Sequence, residues 1–357
     1  MSDSTVYVWQ TQPQCGTCEP EAISDASFHL LTALDLPIPQ ERVLIKPNVT
    51  IATPRESGID TDCAHVEGIV RWLLSTGRSR HSVAIGEGGG TWMPEGFCVA
   101  GFADLACAYG VELVSFNDRR LRYVERDSDF IADRIRVTGR RQRLAARAVD
   151  GDTFLINAPK LKTHNAMAIS ICLKNLMGTQ HRDDRSLCSI SRQYADATGM
   201  DYERRFAHEM CNLYASVKPD FHVVDGAIAR MGSGFQDGQN YPLGLTVAGA
   251  DGFAVDFACA YFMGFNPQHL LLFQVAAEKG LAPAHIDDLD IRRVTGDGVC
   301  PLSTKAVDQL SSPGGFWVKY HREGGGNGKP QRLEEFCPSA YRLPVMDRRA
   351  APPATSW

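Results

Sequence analysis

The chain has 357 residues, of which 44% are hydrophobic and 22% are charged, and its formal net charge is −5. These proportions are typical of a soluble globular protein of one or two domains, and the negative charge argues against non-specific binding to nucleic acid. No run of eighteen apolar residues and no basic-then-apolar leader occurs, so we expect a cytoplasmic protein without a membrane or nucleic-acid partner.

Predicted strands and helices alternate along the chain. Short apolar runs predict strands at 6–9, 43–45, 82–85, 112–116, 154–156, 221–224, 243–248 and 291–294. Longer segments predict helices at 19–34, 64–75, 94–109, 166–177, 202–217, 253–263 and 269–279. This alternation predicts an α/β fold with a mostly parallel sheet flanked by helices.

Changes in composition divide the chain into three regions. Residues 1–40 are predicted to form a strand–helix segment, 41–300 an α/β domain, and 301–357 an irregular tail rich in Gly and Pro. Within the central domain, the basic stretch 117–150 is predicted to be an insertion or a small antiparallel section. The polar stretch 179–199 lacks periodicity and is predicted to be a lid.

The segment from residue 153 onwards carries an unusual concentration of basic groups. Its apolar start predicts a buried strand that ends near Pro159, because proline cannot donate to a sheet ladder. Lys160, Lys162 and His164 follow at alternating positions, and an extended backbone would point all three side chains to one face. We therefore expect an anion-binding face at this strand end.

The predicted helix 166–177 is apolar almost all round, which is typical of a core helix. It nevertheless carries Ser170 and Lys174 one turn apart, with Asn175 beside them. Because a buried unpaired ammonium is costly, Lys174 requires a carboxylate partner, a cleft or a ligand. A structural ion pair and an anion site both satisfy this requirement, and the neighbouring basic groups favour the anion site.

The predicted strands also end in polar sequence. In open α/β sheets, ligands bind beyond the carboxyl ends of the strands. Polar or Gly-rich sequence follows five strands, at 46–48, 86–88, 160–162, 225–226 and 249–251. Together these ends predict a cleft that mixes lysines with acidic residues, and the amides of the Gly-rich segment 86–90 are a further candidate for holding an anion.

Several motifs follow one another in a defined order. They are Ile-Lys-Pro-Asn at 45–48, Thr-Asp at 61–62, Gly-Glu-Gly at 86–88, Pro-Lys-Leu-Lys-Thr-His at 159–164, Ser-Ile-Cys-Leu-Lys-Asn-Leu-Met-Gly at 170–178, Val-Asp-Gly at 224–226, and Ala-Gly-Ala-Asp with Val-Asp at 248–256. Their combination resembles the family called domain of unknown function 362, over about residues 40 to 265. A weaker similarity of fold to the nickel-pincer lactate racemase family implies two lobes around a central cleft.

The candidate site residues follow from these patterns. His164, Lys162 and Lys174 are the candidate catalytic residues, because an imidazole or a desolvated amine transfers protons near neutral pH. The candidate substrate-binding residues lie at predicted strand ends, on the basic segment or just after it: Lys46, Asn48, Glu87, Gly88, Lys160, Ser170, Asn175, His181, Asp225 and Asp251.

The sequence predicts no metal centre. Asp62 and His65 lie near one helical turn apart, but only these two ligands share a face, so a helix cap is the better interpretation. Cys15 and Cys18 form a CxxC pair without the second pair that a zinc site needs. These patterns require no cofactor. They are compatible with a divalent metal.

Taken together, the residues predict a soluble enzyme that binds a small anionic metabolite in a lysine-rich cleft. The predicted reaction is proton transfer of the isomerase or lyase type, in a setting such as specialised metabolism. Two alternatives stay open. One is an oxidoreductase that works with a metal or an iron–sulfur partner, and the other is a non-catalytic protein that binds phosphate or another anion.

Overall fold

The computed structural model describes residues 4–13, 18–126, 142–165, 167–185, 202–234 and 237–318. In chain order, the strands in these ranges are β1 (Thr5–Gln10), β2 (Arg42–Pro47), β3 (Val83–Glu87), β4 (Glu112–Ser115), β5 (Tyr123–Arg126), β6 (Gln142–Ala145), β7 (Thr153–Ala158), β8 (Lys160–His164), β9 (Ala168–Ser170), β10 (Phe221–Gly232), β11 (Gly238–Tyr241), β12 (Leu245–Gly249), β13 (Asp290–Thr295) and β14 (Gly298–Pro301).

The α-helices of the same ranges are α1 (Pro20–Leu34), α2 (Cys63–Ser75), α3 (Met93–Val99), α4 (Phe102–Tyr109), α5 (Ala146–Val149), α6 (Cys172–Asn175), α7 (Tyr202–Val217), α8 (Gly252–Phe262), α9 (Leu271–Glu278) and α10 (Thr304–Gln309). Within the described ranges, none of the helices combines the length and the hydrophobicity that crossing a bilayer requires.

Among the described residues, twelve strands form one mixed sheet. Its order is β14-β13-β1-β12-β10-β7-β2-β3-β4, and β8, β9 and β11 extend it from β10. The part from β10 to β4 is parallel, whereas β12 is antiparallel to both neighbours, β1 and β10. The predicted α/β class with a mostly parallel sheet flanked by helices is confirmed, and the two-lobed arrangement stays a prediction. The remaining strands, β5 and β6, pair separately as an antiparallel hairpin.

Helices pack on both faces of the sheet because its central strands are apolar on both sides. On one face, Leu44 and Leu155 contact a buried cluster that includes Phe257 of α8. On the other face, Ile45 belongs to a cluster with Ile69 of α2. The two layers hold the strands rigidly, so the side chains at the strand ends are positioned by the core beneath them.

The prediction of one continuous helix at 166–177 is wrong. Ala168–Ser170 instead pairs antiparallel with β8 as strand β9. A helix begins only at Cys172, where the carboxylate of Asp256 accepts from the amides of Cys172 at 2.7 Å and Leu173 at 3.1 Å. These tertiary hydrogen bonds override the apolar helical pattern. Ser170 and Lys174 therefore do not share a helix face.

Other elements also differ from the prediction. The helix predicted at 94–109 is two helices, α3 and α4, because Gly101 between them adopts a left-handed φ of 84°. Strand β10 continues to Gly232, beyond the predicted strand at 221–224, and β11 and β14 were not predicted. The predicted lid 179–199 is described only as far as Arg185, and its residues 186–199 lie outside the described residues.

Candidate functional site

Lys46, near the end of β2, is completely buried. Its Nζ donates to Glu87 Oε2 at 2.8 Å, to the main-chain oxygen of Pro47 at 3.1 Å and to Asn175 Oδ1 at 3.3 Å. Burial lowers the pKa of Lys46, and Glu87 opposes this change. Gly178 covers the pair so closely that a Cβ there would lie 1.9 Å from Glu87 Oε1. This arrangement is a sealed ion pair in the core.

A chain of side-chain hydrogen bonds leads from Lys46 across the sheet. Asn175 Nδ2 donates to the main-chain oxygen of Lys46 at 3.1 Å and to Asn157 Oδ1 at 2.8 Å. Asn157 and His222 Nδ1 lie 3.0 Å apart. Burial lowers the pKa of His222 to about 3, so its ring is neutral. Asn175, predicted to bind substrate, therefore joins α6 to β2 and β7.

Lys160 and Asp225 form a second buried ion pair. Lys160 Nζ donates to Asp225 Oδ2 at 2.8 Å, and the amide of Asp62 donates to the same oxygen at 2.8 Å. Burial alone would raise the pKa of Asp225, but Lys160 and the other partners bring it below its ordinary value. Two of the predicted lysines are thus neutralised by carboxylates.

Lys162 differs from both of these lysines because its partners are uncharged. Its Nζ donates to Asn48 Oδ1 at 2.6 Å, to Thr50 Oγ1 at 3.2 Å and to the main-chain oxygen of Ile59 at 2.8 Å. No carboxylate of the described residues forms an ion pair with it. Burial lowers the pKa of Lys162 to about 7. Lys162 is therefore able to gain or lose a proton near neutral pH.

Asp60 is the carboxylate that interacts electrostatically with Lys162. It accepts from the amide of Thr50 at 2.6 Å and from Thr53 Oγ1 at 3.1 Å. Burial raises the pKa of Asp60 to about 6, while Lys162 opposes this rise. Thr50 contacts both groups, so an acid and an amine that titrate near neutrality share one environment.

Strand pairing places Lys162 between Arg230 of β10 and Ser170 of β9. Side chains of paired residues point to the same face, and neighbouring strands lie about 4.8 Å apart. The hydroxyl of Ser170 makes no hydrogen bond within the part of the chain that the structure describes. An ammonium flanked by a guanidinium and a hydroxyl is a row of donors suited to an anion.

His164 and Lys174 meet at the ring of Phe206 in α7. The His164 ring lies 6.2 Å from that ring, and Lys174 Nζ lies 6.0 Å from its centroid. His164 Nδ1 accepts from the amide of Met167 at 3.2 Å, so proton transfer by this residue would use Nε2. Lys174 is near enough to Lys162 to help lower its pKa, so Lys174 borders the same centre.

Two predicted substrate-binding residues do not join this group. His181 Nδ1 accepts from the amide of Asp183 at 3.3 Å, and its ring packs edge-on against Tyr123 at 4.8 Å. Asp251 accepts from the amide of Phe253 at 2.9 Å and caps α8. Because β12 runs antiparallel to β10, its carboxyl end leads back towards the start of β10 and away from Asp225.

The amides of the Gly-rich segment after β3 already donate hydrogen bonds to protein atoms. Its three amides have acceptors: Gly88 N donates to Glu87 Oε1 (2.6 Å), Gly89 N to Met93 Sδ (2.9 Å) and Gly90 N to the main-chain oxygen of Thr50 (2.9 Å). The guanidinium of Arg185 also donates to the main-chain oxygens of Gly88 and Gly89. The amides that were predicted to hold an anion are therefore used within the protein, and that of Gly88 binds the carboxylate that pairs with Lys46.

The weak metal candidates have other partners. Asp62 caps α2 by accepting from the amide of Ala64 at 2.9 Å, and it pairs with Arg55 at 2.7 Å. Both ring nitrogens of His65 are engaged by protein atoms. Across the described ranges, no three His, Cys, Asp or Glu side chains gather as a ligand set. Cys18 is a buried free thiol, and Cys15 lies outside the described residues.

Two cavities that are lined by described residues lie away from these lysines. A cavity of about 510 Å³ is lined by residues that include Asp150, Thr153, Lys218 and Asp220, on the amino-terminal side of β7. A smaller one lies beside Asn266. Neither is lined by a predicted site residue. Because ligands of parallel sheets bind at the carboxyl ends of strands, we place the candidate site at Lys162.

Sequence reasoning missed Thr50, Asp60 and Arg230 at this centre. Thr50 and Asp60 belong to the long loop after β2, and Arg230 lies in the part of β10 beyond the predicted strand at 221–224. The available signal for Asp60 was its position directly before the Thr-Asp motif at 61–62. No local pattern indicates that Arg230 pairs with Lys162.

The comparison with protein families agrees with the motifs. A family model described as domain of unknown function (DUF362) matches residues 43–261. A thylakoid-associated protein of Synechocystis sp. is 26% identical over 248 residues, which cover 69% of this chain and 70% of that protein. A crystal structure of a Thermotoga maritima protein is similar with a TM-score of 0.42 and 12% identity, covering 71% of this chain and 60% of that chain.

Proposed function

The chain belongs to the DUF362 family, and from that premise we propose that it is an enzyme that binds a small anionic metabolite and transfers a proton at Lys162. One observation carries this proposal. Lys162 is buried among three uncharged oxygens, whereas the neighbouring Lys46 and Lys160 each have a carboxylate. A buried ammonium that no carboxylate contacts directly is unfavourable, and such groups occur mainly where they act.

The hydrogen bonds of Lys162 suit both of its protonation states. As an ammonium it donates to all three oxygens. As a neutral amine it has one lone pair, and the hydroxyl of Thr50 is able to rotate and donate to it. Lys162 would then serve as the general base or acid, with Asp60 as the nearby group that also titrates near neutrality.

The surroundings of Lys162 favour an anion. Lys174 and Arg230 both act on it as positive charges, and the Ser170 hydroxyl is available to a ligand oxygen. Proton abstraction next to a carbonyl creates an enolate, whose spread negative charge such donors stabilise. The cytoplasm is the proposed location, while thylakoid association is stated of the Synechocystis relative.

Proton exchange tests this function with a panel of simple ligands. Small carboxylates and phosphates that raise the unfolding temperature would be incubated with the protein in D₂O, and proton NMR would follow loss of the C–H signal next to the carbonyl. We expect exchange with at least one ligand, slowed by roughly 10²- to 10⁴-fold in Lys162→Met. The exposed Lys305→Met is the matched control and should exchange as the wild type does.

Two results would contradict the proposal. Equal exchange by wild type and Lys162→Met would remove Lys162 from the chemistry. Binding that depends on Lys162, but without exchange for any bound ligand, would instead indicate an anion-binding protein.

A further inference from the structure

Arg230 is a buried arginine with one unused end. The residue is 8% exposed, Nε donates to the main-chain oxygen of Gly234 at 2.8 Å, and Nη1 donates to Ser57 O and Asn240 Oδ1, both at 3.0 Å. Nη2 donates to no residue in the described part of the chain. Two N–H groups of a guanidinium that is otherwise held in place thus have no acceptor among the described residues.

The protein backbone makes room for this guanidinium. A Cβ on Gly238 of the adjacent strand β11 would lie 3.0 Å from Arg230 Nε and 2.5 Å from the main-chain oxygen of Met231. The position therefore requires glycine beside the arginine. Three held donors and a close backbone approach give the guanidinium one orientation, as expected for a binding group that is organised before its ligand arrives.

Arg230 and Lys162 face the same space. They are paired in register on neighbouring strands, and both reach the loop after β2. Arg230 contacts the main-chain oxygen of Ser57, and Lys162 contacts that of Ile59. Two residues of extended chain span at most about 7 Å, so these two acceptor oxygens lie near each other, and Arg230 is close enough to Lys162 to help lower its pKa.

We propose that Arg230 binds a second acidic group of the substrate, and that the site therefore takes a short ligand with an acidic group at each end. One end would lie at Arg230 Nη2, and the other at the Ser170 hydroxyl, on the opposite side of Lys162. The carbon between the ends would then lie beside the Lys162 amine. This inference rests on the proposed function, because it uses the same centre.

The chemistry of arginine supports this assignment. A guanidinium is planar and always charged, and it recognises carboxylate and phosphoryl oxygens better than a point charge does. The outer strands of the row are two spacings of about 4.8 Å apart, which matches a short chain of carbons more closely than a single acidic group.

Calorimetric titration of the purified protein tests the inference with defined probes. Malonate, succinate and glutarate would be compared with their monomethyl esters, which keep the shape but lose one charge. We expect the best diacid to bind at least tenfold more tightly than its ester. Arg230→Gln should reduce diacid affinity to that of the ester and leave ester affinity unchanged, and Arg230→Lys should be intermediate. Arg292→Gln, on the distant strand β13, is the control and should change neither.

A further experiment distinguishes a phosphoryl group from a carboxylate at Arg230. If 3-phosphonopropionate binds more tightly than succinate and depends more strongly on Arg230, the second group is phosphoryl, and the opposite order indicates a carboxylate. Equal affinity of diacid and ester for the wild type, or no binding of any diacid, would overturn the inference even if Arg230 variants fail to fold. The proposed function would survive that result if proton exchange of a single-charged ligand still depends on Lys162.

Discussion

Two lysines of this sheet are equally buried but are held in opposite ways. Lys46 is 0% exposed and faces Glu87 at 2.8 Å, whereas Lys162 is 3% exposed and faces three uncharged oxygens. Burial alone does not distinguish a structural lysine from a reactive one. A carboxylate in direct contact distinguishes the two, because it stabilises the ammonium that burial otherwise destabilises.

The neighbourhoods of the two lysines differ in the same sense. Around Lys46, the closely packed Gly178 and the network through Asn175 satisfy the polar groups. Around Lys162, the Ser170 hydroxyl and one end of Arg230 have no acceptor or donor among the described residues. A region whose polar groups are satisfied needs no ligand, whereas a region with unused donors is able to bind one.

The largest effect is expected from breaking the Lys46 pair. Glu87→Gln leaves a buried ammonium without its carboxylate, so the free energy of unfolding should fall by roughly 3–5 kcal/mol. Urea denaturation at pH 7 measures this change. A loss below about 1 kcal/mol, which is the range of exposed ion pairs, would show that Lys46 is not held as the structure indicates and would break the comparison.

A smaller effect is expected from crowding the same pair. Gly178→Ala would place a methyl group 1.9 Å from Glu87 Oε1, and the forced movement should lower stability by roughly 1–3 kcal/mol. Gly151→Ala is the matched control, because nothing lies within 4 Å of its Cβ position. Thermal unfolding of both variants would test this close packing. Equal unfolding temperatures for Gly178→Ala and Gly151→Ala would argue against it.

The protonation of Lys162 should make the stability of the folded protein depend on pH. The folded pKa of about 7 lies below the unfolded value of about 10.4, so the unfolded state binds more protons between these values. Lys162 therefore makes stability rise with pH across that window, by at most about 1.4 kcal/mol per pH unit, and contributes no slope below pH 7.

The measurement is the difference between the wild-type and Lys162→Met stability curves. This subtraction cancels the slopes of buried groups on which Lys162 does not act, such as Asp256, whose pKa burial raises to about 7. A difference curve that is flat from pH 7 to pH 10 would show that Lys162 keeps an ordinary pKa, and the contrast with Lys46 would disappear.

The smallest effect is expected for an ion pair at the surface. Arg42 and Asp152 pair with side chains that are 53% and 57% exposed. Solvent and salt screen such a pair, so Arg42→Gln should lower stability by about 0.2–1 kcal/mol, and by less in high salt. Denaturation at two salt concentrations would check this, and a loss that matches Glu87→Gln would mean that burial has no influence on these pairs.

Much of the fold is readable in the sequence because the strands are short apolar runs bounded by polar residues. The predicted strand at 154–156 lies within β7, and Pro159 separates β7 from β8 as its missing N–H requires. The alternation of strands and helices was sufficient for the α/β class. Loss of helical continuity at Gly101 was not anticipated, since one glycine is tolerated in many helices.

The structure of the segment 166–177 could not be predicted from its local sequence. Its apolar residues suit a buried helix and a buried hairpin equally, since both hide every side chain. What decides between them is pairing with β8 and the carboxylate of Asp256, which comes from a helix far along the chain. No local window contains that information.

For the candidate site, the strand-end rule holds for Lys46, near the end of β2, whereas Lys160 is the first residue of β8 and Asp225 lies inside β10. It does not apply to Asp251, because β12 runs in the opposite direction. The rule also cannot tell which lysine receives a carboxylate. That difference depends on Glu87 and Asp225, whose distances from each lysine exist only in the folded chain.

The position of β1 has a consequence for how the protein is made. This first strand lies between β12 and β13, which are among the last strands of the chain. During synthesis at roughly 5–20 residues per second, β1 waits on the order of ten seconds or more before either partner leaves the ribosome. The parallel part from β2 to β7 is complete well before then. The strand that is translated first is therefore among the last to be incorporated, and its apolar residues depend on protection in the interval.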